Sequence, residues 1–223
     1  MADEQFRFEV DGRTLSGLWT RAGRPVAVAV VAHGAGNDMR NAFLSGVAEG
    51  LASDGVSAMR FNFPYMEEGR RAPDRAPVLL EAWRAALEES GRRGRGLPLV
   101  ASGKSLGGRM ASMLAAEMGG AFPGAALVFF GYPLHAPGRP EKVRDAHLPA
   151  IRIPMLFIQG TADSLARFEL VQELIERLGP TATFHVVEGG NHSFRVRGAR
   201  RLDREIGQEL GAIAAGFIRK VLG

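Results

Sequence analysis

Two hydrophobic periods divide this chain. Residues 6–10 and 14–20 have strand character and are joined by Asp11-Gly12, a pair that favours a tight hairpin turn. From residue 26 onward the apolar residues come instead in unbroken runs, at 26–32, 57–63, 97–102, 125–130, 155–158 and 183–187. Such runs fit strands covered on both faces. Helical spacing fills most of the gaps. Phe43, Val47 and Leu51 fall at i, i+4 and i+8. Leu80, Trp83 and Leu87 share one face of a helix that Asp74 or Pro77 would start. A stripe from Leu165 through Phe168, Val171 and Leu174 to Leu178 predicts another helix, and Leu202, Ile206, Leu210, Ile213, Phe217 and Val221 a last one. Residues 110–116 are small enough to pack tightly on a sheet. Strand–helix alternation of this kind predicts a parallel sheet sandwiched by helices. No repeat, linker or low-complexity tract interrupts it, so one domain over residues 1–223 is expected.

Composition excludes several alternatives. With 223 residues, 46% apolar and 23% charged, the chain is long enough to bury a core and too apolar for disorder. It has no cysteine, which removes disulfides, thiolate metal sites and a cysteine nucleophile together. The start, Met1-Ala2-Asp3-Glu4-Gln5-Phe6, lacks the basic and apolar segments of a signal peptide, and no run of about 18 apolar residues offers a membrane span. A cytoplasmic protein without membrane association is expected. The formal charge of +4 is concentrated in residues 195–204, which carry Arg195, Arg197, Arg200, Arg201 and Arg204 against Asp203. No nucleic-acid module accompanies that stretch and no aromatics interleave it, so no nucleic-acid partner is expected.

The chemistry centres on Gly103-Lys104-Ser105-Leu106-Gly107, a G-x-S-x-G directly after an apolar strand and directly before a helix. In that context the serine stands on a sharp turn that lifts its hydroxyl clear of the sheet. The glycines relieve crowding, and the helix N-terminus favours developing negative charge. Ser105 is therefore the candidate nucleophile.

A serine hydroxyl needs a base. Of five histidines, His192 lies in a loop just after the run at 183–187, whereas His185 sits inside it. His33 ends the first parallel strand, and His135 and His147 lie in an irregular stretch. The orienting acid belongs between serine and histidine in such an arrangement. Asp163 follows the run at 155–158 directly, while its competitor Asp145 lies in charged surface sequence and Glu188 is too near His192. The order Ser105, Asp163, His192 places each at the C-terminal end of a successive strand, where open α/β sheets bind ligands. An oxyanion would be held by the backbone N–H of Leu106 and by one from His33-Gly34-Ala35-Gly36, with Ala35 favoured and Gly34 the alternative.

Two rival motifs fail. Gly103-Lys104-Ser105 resembles the end of a P-loop, but its distal glycine position holds Pro98. Gly34-Ala35-Gly36 opens like a dinucleotide fingerprint, but its third glycine position holds Met39. No histidine–carboxylate cluster has metal-ligand spacing.

These motifs resemble the α/β-hydrolase superfamily over nearly the whole chain. His33-Gly34-Ala35-Gly36 with Asp38-Met39, Arg60-Phe61-Asn62-Phe63-Pro64-Tyr65, Gly131-Tyr132-Pro133-Leu134-His135, Gln159-Gly160-Thr161-Ala162-Asp163 and Asn191-His192-Ser193 narrow the likeness. They resemble a small bacterial branch of dienelactone-hydrolase-like proteins, related to a testis-expressed eukaryotic protein and a chromatin-complex subunit. The resemblance implies a mostly parallel sheet of about eight strands with helices on both faces, a Ser-Asp-His triad, and no cofactor or metal. Dienelactone hydrolases carry cysteine where Ser105 stands, so their lactone substrate is not inherited. The branch usually has arginine at Lys104 and often proline at Ser164.

The expected activity is hydrolysis of a small-molecule ester through an acyl-enzyme, with thioester or acyl-transfer chemistry, or a non-enzymatic scaffold on the same fold, as alternatives. Residues 132–154 are too few for a substantial cap domain. Tyr65, Met66, Tyr132, Leu134 and Phe194 come from loops at the catalytic end, either to line an apolar acyl pocket or to pack beneath the loops. The arginine stretch would attract an anionic substrate or simply form a solvated helix start, the second being favoured. Oligomeric state is not encoded in any pattern of this sequence.

Overall fold

The computed structural model of the protein describes residues 3–223, so Met1 and Ala2 of the segment weighed as a leader lie outside the described residues. The chain opens with β1 (Asp3–Val10) and β2 (Arg13–Thr20) as an antiparallel hairpin. Both turn residues, Asp11 and Gly12, have positive φ, which suits the right-handed twist of the paired strands.

Six strands follow that all run parallel: β3 (Ala27–Ala32), β4 (Val56–Phe61), β5 (Leu99–Lys104), β6 (Gly124–Phe130), β7 (Met155–Gly160) and β8 (Ala182–Val187). The sheet order is β1-β2-β4-β3-β5-β6-β7-β8, and β2 alone opposes the rest. Because β4 and β5 flank β3 on opposite sides, the strand order reverses there and opens a crevice at the carboxyl ends. This is the α/β-hydrolase fold.

Side chains alternate across the sheet. In β3, Val28, Val30 and Ala32 face one core, and Ala27, Ala29 and Val31 the other. The first face is covered by α3 (Ala76–Gly94), α4 (Leu106–Met118) and α5 (Phe168–Leu178), the second by α1 (Ala42–Ser53) and α6 (Asp203–Leu222). A single helical turn, α2 (Pro64–Glu67), follows β4. Residues 132–154 hold one short 3-10 turn and no cap.

Three expectations change in detail. The run at 183–187 is not covered on both faces: β8 is the sheet edge, with β7 its only neighbour among the described residues, and its residues are half-buried or exposed. Leu165 precedes α5 rather than joining it. In α6 the residues facing inward include Gly207, Gly211, Ala214 and Ala215, while Leu202 is 69% exposed at the helix start. The cause is backbone contact between α1 and α6. A Cβ on Gly46 would stand 2.0 Å from the Arg204 carbonyl oxygen, and one on Gly207 2.1 Å from that of Phe43. Gly50 and Gly211 are equally crowded by Gln208 and Val47. Paired glycines one turn apart on each helix let the axes approach more closely than any larger side chains would.

Candidate active site

Ser105 occupies the turn between β5 and α4 with φ 50° and ψ −114°. Non-glycine residues rarely adopt positive φ, and a serine held there is strained by the structure around it. The motif glycines explain how that turn is tolerated. A Cβ on Gly103 would lie 2.5 Å from the Gly108 nitrogen, and one on Gly107 2.5 Å from the Ala32 carbonyl oxygen. The elbow is thus packed backbone against backbone, and the buried Trp83 indole N–H donates to the Gly107 carbonyl at 3.1 Å.

The structure brings Ser105, Asp163 and His192 together. His192 Nε2 lies 2.9 Å from Ser105 Oγ, and its Nδ1 lies 2.7 Å from Asp163 Oδ2. A carboxylate only accepts, so Nδ1 carries the proton and Nε2 is left to accept from the serine hydroxyl. The Asp163 side chain has no solvent exposure, and that of His192 has 24%. Asp163 also accepts from the Gln159 amide at 2.5 Å and from the Leu165 backbone N–H at 2.8 Å, so its buried charge is met by three donors. The competitor Asp145 is engaged instead by Arg177.

The His192 loop has its own supports. Asn191 Oδ1 accepts the N–H groups of Ser193 at 2.9 Å and Arg195 at 3.1 Å. Phe194, at φ 62°, buries its ring 5.5 Å from that of Phe43 in a stacked pair.

Of the expected oxyanion donors, Leu106 is the first residue of α4, where a helical N–H lacks an intrahelical acceptor. Gly34 is buried, and a Cβ on it would be 3.4 Å from Ser105 Cβ, while Ala35 beside it is exposed. The loop carrying them is clamped by β4 and the residues after it. Buried Arg60 donates to the Met39 carbonyl at 3.0 Å, and Asn62 Oδ1 accepts the Met39 N–H at 2.9 Å. His33 Nε2 accepts the Phe63 N–H at 3.1 Å, with Nδ1 against the Gly34 carbonyl at 2.9 Å.

A second histidine repeats the device. His135 Nδ1 faces the Ala136 carbonyl and Nε2 accepts the Arg167 N–H, both at 2.9 Å, which fastens the loop after β6 to the loop carrying Asp163. Burial depresses His33 to about 4 and thereby keeps its ring neutral. Sequence reasoning missed both roles, because each depends on a backbone group about thirty residues away.

Four of the five expected pocket residues are core side chains. Tyr65, Tyr132, Leu134 and Phe194 are each 2% exposed or less, while Met66 is half-buried. Tyr132 packs on Phe129 and Phe157 and donates its hydroxyl to the Arg144 carbonyl at 2.9 Å. Without surface of their own, these four offer nothing to a bound acyl group in this conformation. An open cleft of about 410 Å³ beside the acid loop is walled by Pro140, Thr161, Ser164, Arg167 and Phe168. In the arginine stretch, Arg195 is paired with Asp203, Arg201 with Glu209 and Arg204 with Glu49. Among the described residues, no group of three or more histidines and carboxylates could hold a metal ion, and no helix is long and apolar enough to cross a membrane.

A serine on a strained strand-to-helix turn, with a histidine and an acid arriving from later strand ends, is the arrangement of hydrolases on an α/β sheet. The chain belongs to that group: the alpha/beta hydrolase domain family model matches residues 25–219. Solved structures agree in fold. An alpha-beta serine hydrolase homologue from Coxiella burnetii is 22% identical, with a TM-score of 0.77 over 96% of this chain and 98% of that one. A dienelactone hydrolase from Anabaena variabilis gives 0.78 at 20% identity, over 98% and 97% of the two chains. A serine hydrolase without lid from Xanthomonas campestris gives 0.73 at 20%, over 95% and 94%.

Proposed function

We propose that this protein is a serine carboxylesterase acting on small to medium esters, with residues 1–223 working as one hydrolase domain. The observation that carries the reading is the continuous chain of hydrogen bonds from Asp163 through His192 to Ser105. Ser105 Oγ attacks the ester carbonyl carbon while His192 Nε2 takes the hydroxyl proton. The tetrahedral oxyanion is held by the N–H groups of Leu106 and of Ala35 or Gly34. It collapses as the C–O bond to the alcohol breaks, with His192 returning the proton to the departing oxygen. Water then repeats the sequence on the acyl-enzyme, releasing the acid and restoring Ser105. Asp163 keeps the imidazole in the useful tautomer and stabilises the imidazolium that forms.

The choice of substrate size follows from the absence of a cap between β6 and β7 and from the burial of the loop aromatics, which leave the serine at an open rim. The Xanthomonas protein is a serine hydrolase without lid and the Coxiella protein a serine hydrolase homologue, and that class is consistent with an ester as the small-molecule partner.

The test is turnover of an ester, thioester and amide panel by the wild type and Ser105→Ala, together with fluorophosphonate labelling. Ester turnover and a covalent adduct on Ser105, both lost in the variant, are expected. Undiminished ester turnover in Ser105→Ala would overturn the reading. No adduct and no turnover in the wild type would favour a scaffold on the same fold.

A further inference from the structure

Lys104, the residue before the candidate nucleophile, has no part in the mechanism above, yet its charge is buried beside it. The residue as a whole is half-buried, but Nζ is shut off from solvent and has no hydrogen-bond partner among the described residues. An ammonium carries three donors and is costly to bury unpaired. Its surroundings are specific. Nζ lies 5.4 Å from the centroid of the Phe194 ring, which sits two residues beyond His192 and is itself stacked on Phe43. It also faces Gly131 at the end of β6. A Cβ there would stand 2.9 Å from Nζ, 3.4 Å from the His192 carbonyl oxygen and 3.6 Å from His192 Cε1. Lys104 and the imidazole therefore meet across a glycine that leaves room for both.

The titratable groups around Nζ come from two loops. Asp163, after β7, attracts it, and His192, after β8, presents its ring edge; the residue after β6, Gly131, and the stack of Phe43 from α1 on Phe194 from the His192 loop complete the surroundings without charge. We propose that Lys104 is a positioning residue for the proposed triad: its buried ammonium, across Gly131 from the imidazole, opposes a second positive charge on His192 and so keeps the base free to accept the serine proton in mildly acid conditions. This rests on the reading of Ser105, Asp163 and His192 as a triad. Burial lowers Lys104 to about 8, so its charge is present throughout the range in which a histidine gains a proton and fades only above that range. The cation–π contact with Phe194 gives the ammonium a partner that no lone pair supplies.

The experiment compares pH profiles of ester hydrolysis and of Ser105 labelling by a fluorophosphonate in the wild type, Lys104→Met and Lys104→Arg. Methionine keeps the length of the stem and removes the charge, and thermal melting confirms that it folds. In Lys104→Met the acid limb should move up by about one pH unit, a tenfold loss of rate on that limb with little change on the alkaline plateau. Lys104→Arg should restore the limb. A purely structural role would lower the melting temperature and leave the limb in place, and coincident limbs in the wild type and Lys104→Met overturn the proposal. Should Lys104→Met not fold, imidazole NMR of the wild type takes its place. The His192 signal should show a second inflection near pH 8 as Lys104 loses its proton, and its absence overturns the proposal. If that inflection appears but Ser105 is not labelled, the electrostatic link stands and the triad reading alone fails.

Discussion

His33 and Phe63 are joined by a hydrogen bond that only a neutral histidine can accept. The Phe63 N–H donates to His33 Nε2 at 3.1 Å, while Nδ1 must donate to the Gly34 carbonyl, and the ring is fully buried. Protonation would set a donor against a donor and place a charge in the core. Burial accordingly depresses the ring to about 4 from an ordinary value near 6.5. Between those values the unfolded chain takes up a proton that the folded protein refuses, so stability is lost as pH falls. The loss begins near 6.5 and levels off below about 4, and it amounts to about 3 kcal/mol over the whole window. Urea unfolding of the wild type and His33→Gln at pH 7, 5.5 and 4 checks this. Glutamine can accept from Phe63 without titrating, so the variant should lose less over the window. Equal losses in the two proteins would remove His33 as the cause.

The same pair of residues shows where sequence reading stops. Strand runs, helix stripes and the order Ser105, Asp163, His192 are legible because each depends on local period or on sequence order. The clamp is not, since His33 and Phe63 are thirty positions apart and the acceptor is a ring nitrogen whose tautomer only its partners reveal. Arg60-Phe61-Asn62-Phe63-Pro64-Tyr65 stood out by resemblance, but its work of holding the Gly34–Ala35 loop through Met39 and His33 appears only in three dimensions. Aromatics in catalytic loops look alike in sequence whether they line a pocket or fill a core; the burial of Tyr132 and Phe194 decides it. The glycine spacing 46/50 and 207/211 is itself a sequence signal of close helix packing, one carried by residues that add nothing to an apolar stripe.

That packing predicts opposite signs for one substitution type within a single helix. Gly207 and Gly216 both lie in α6, where alanine is intrinsically favoured over glycine by about 1 kcal/mol. At Gly216 a Cβ would meet nothing within 4 Å, so Gly216→Ala should stabilise by up to that amount. At Gly207 the new Cβ would sit 2.1 Å from the Phe43 carbonyl oxygen and force α1 and α6 apart, which costs about 1–3 kcal/mol or more. Melting temperatures of the two variants should fall on opposite sides of the wild type. If both rise, the backbone contact between the helices is not as close as described.

Asp163→Asn tests the candidate acid apart from the serine. The buried carboxylate accepts from His192, Gln159 and Leu165, all donors, so every bond around it presumes an acceptor. An asparagine must turn its NH2 toward one of them. If it faces His192, the imidazole is pushed to the other tautomer, with Nε2 protonated and unable to take the Ser105 proton. The fold should survive, since the substitution is nearly isosteric, while kcat for an aryl ester should fall by about 10⁴, the loss such a change brings in a working triad. The decline should appear in kcat rather than KM, because the lost interaction acts when the imidazolium forms. Turnover within tenfold of the wild type would mean that Asp163 does not orient the base, and Asp145→Asn would then be the variant to measure.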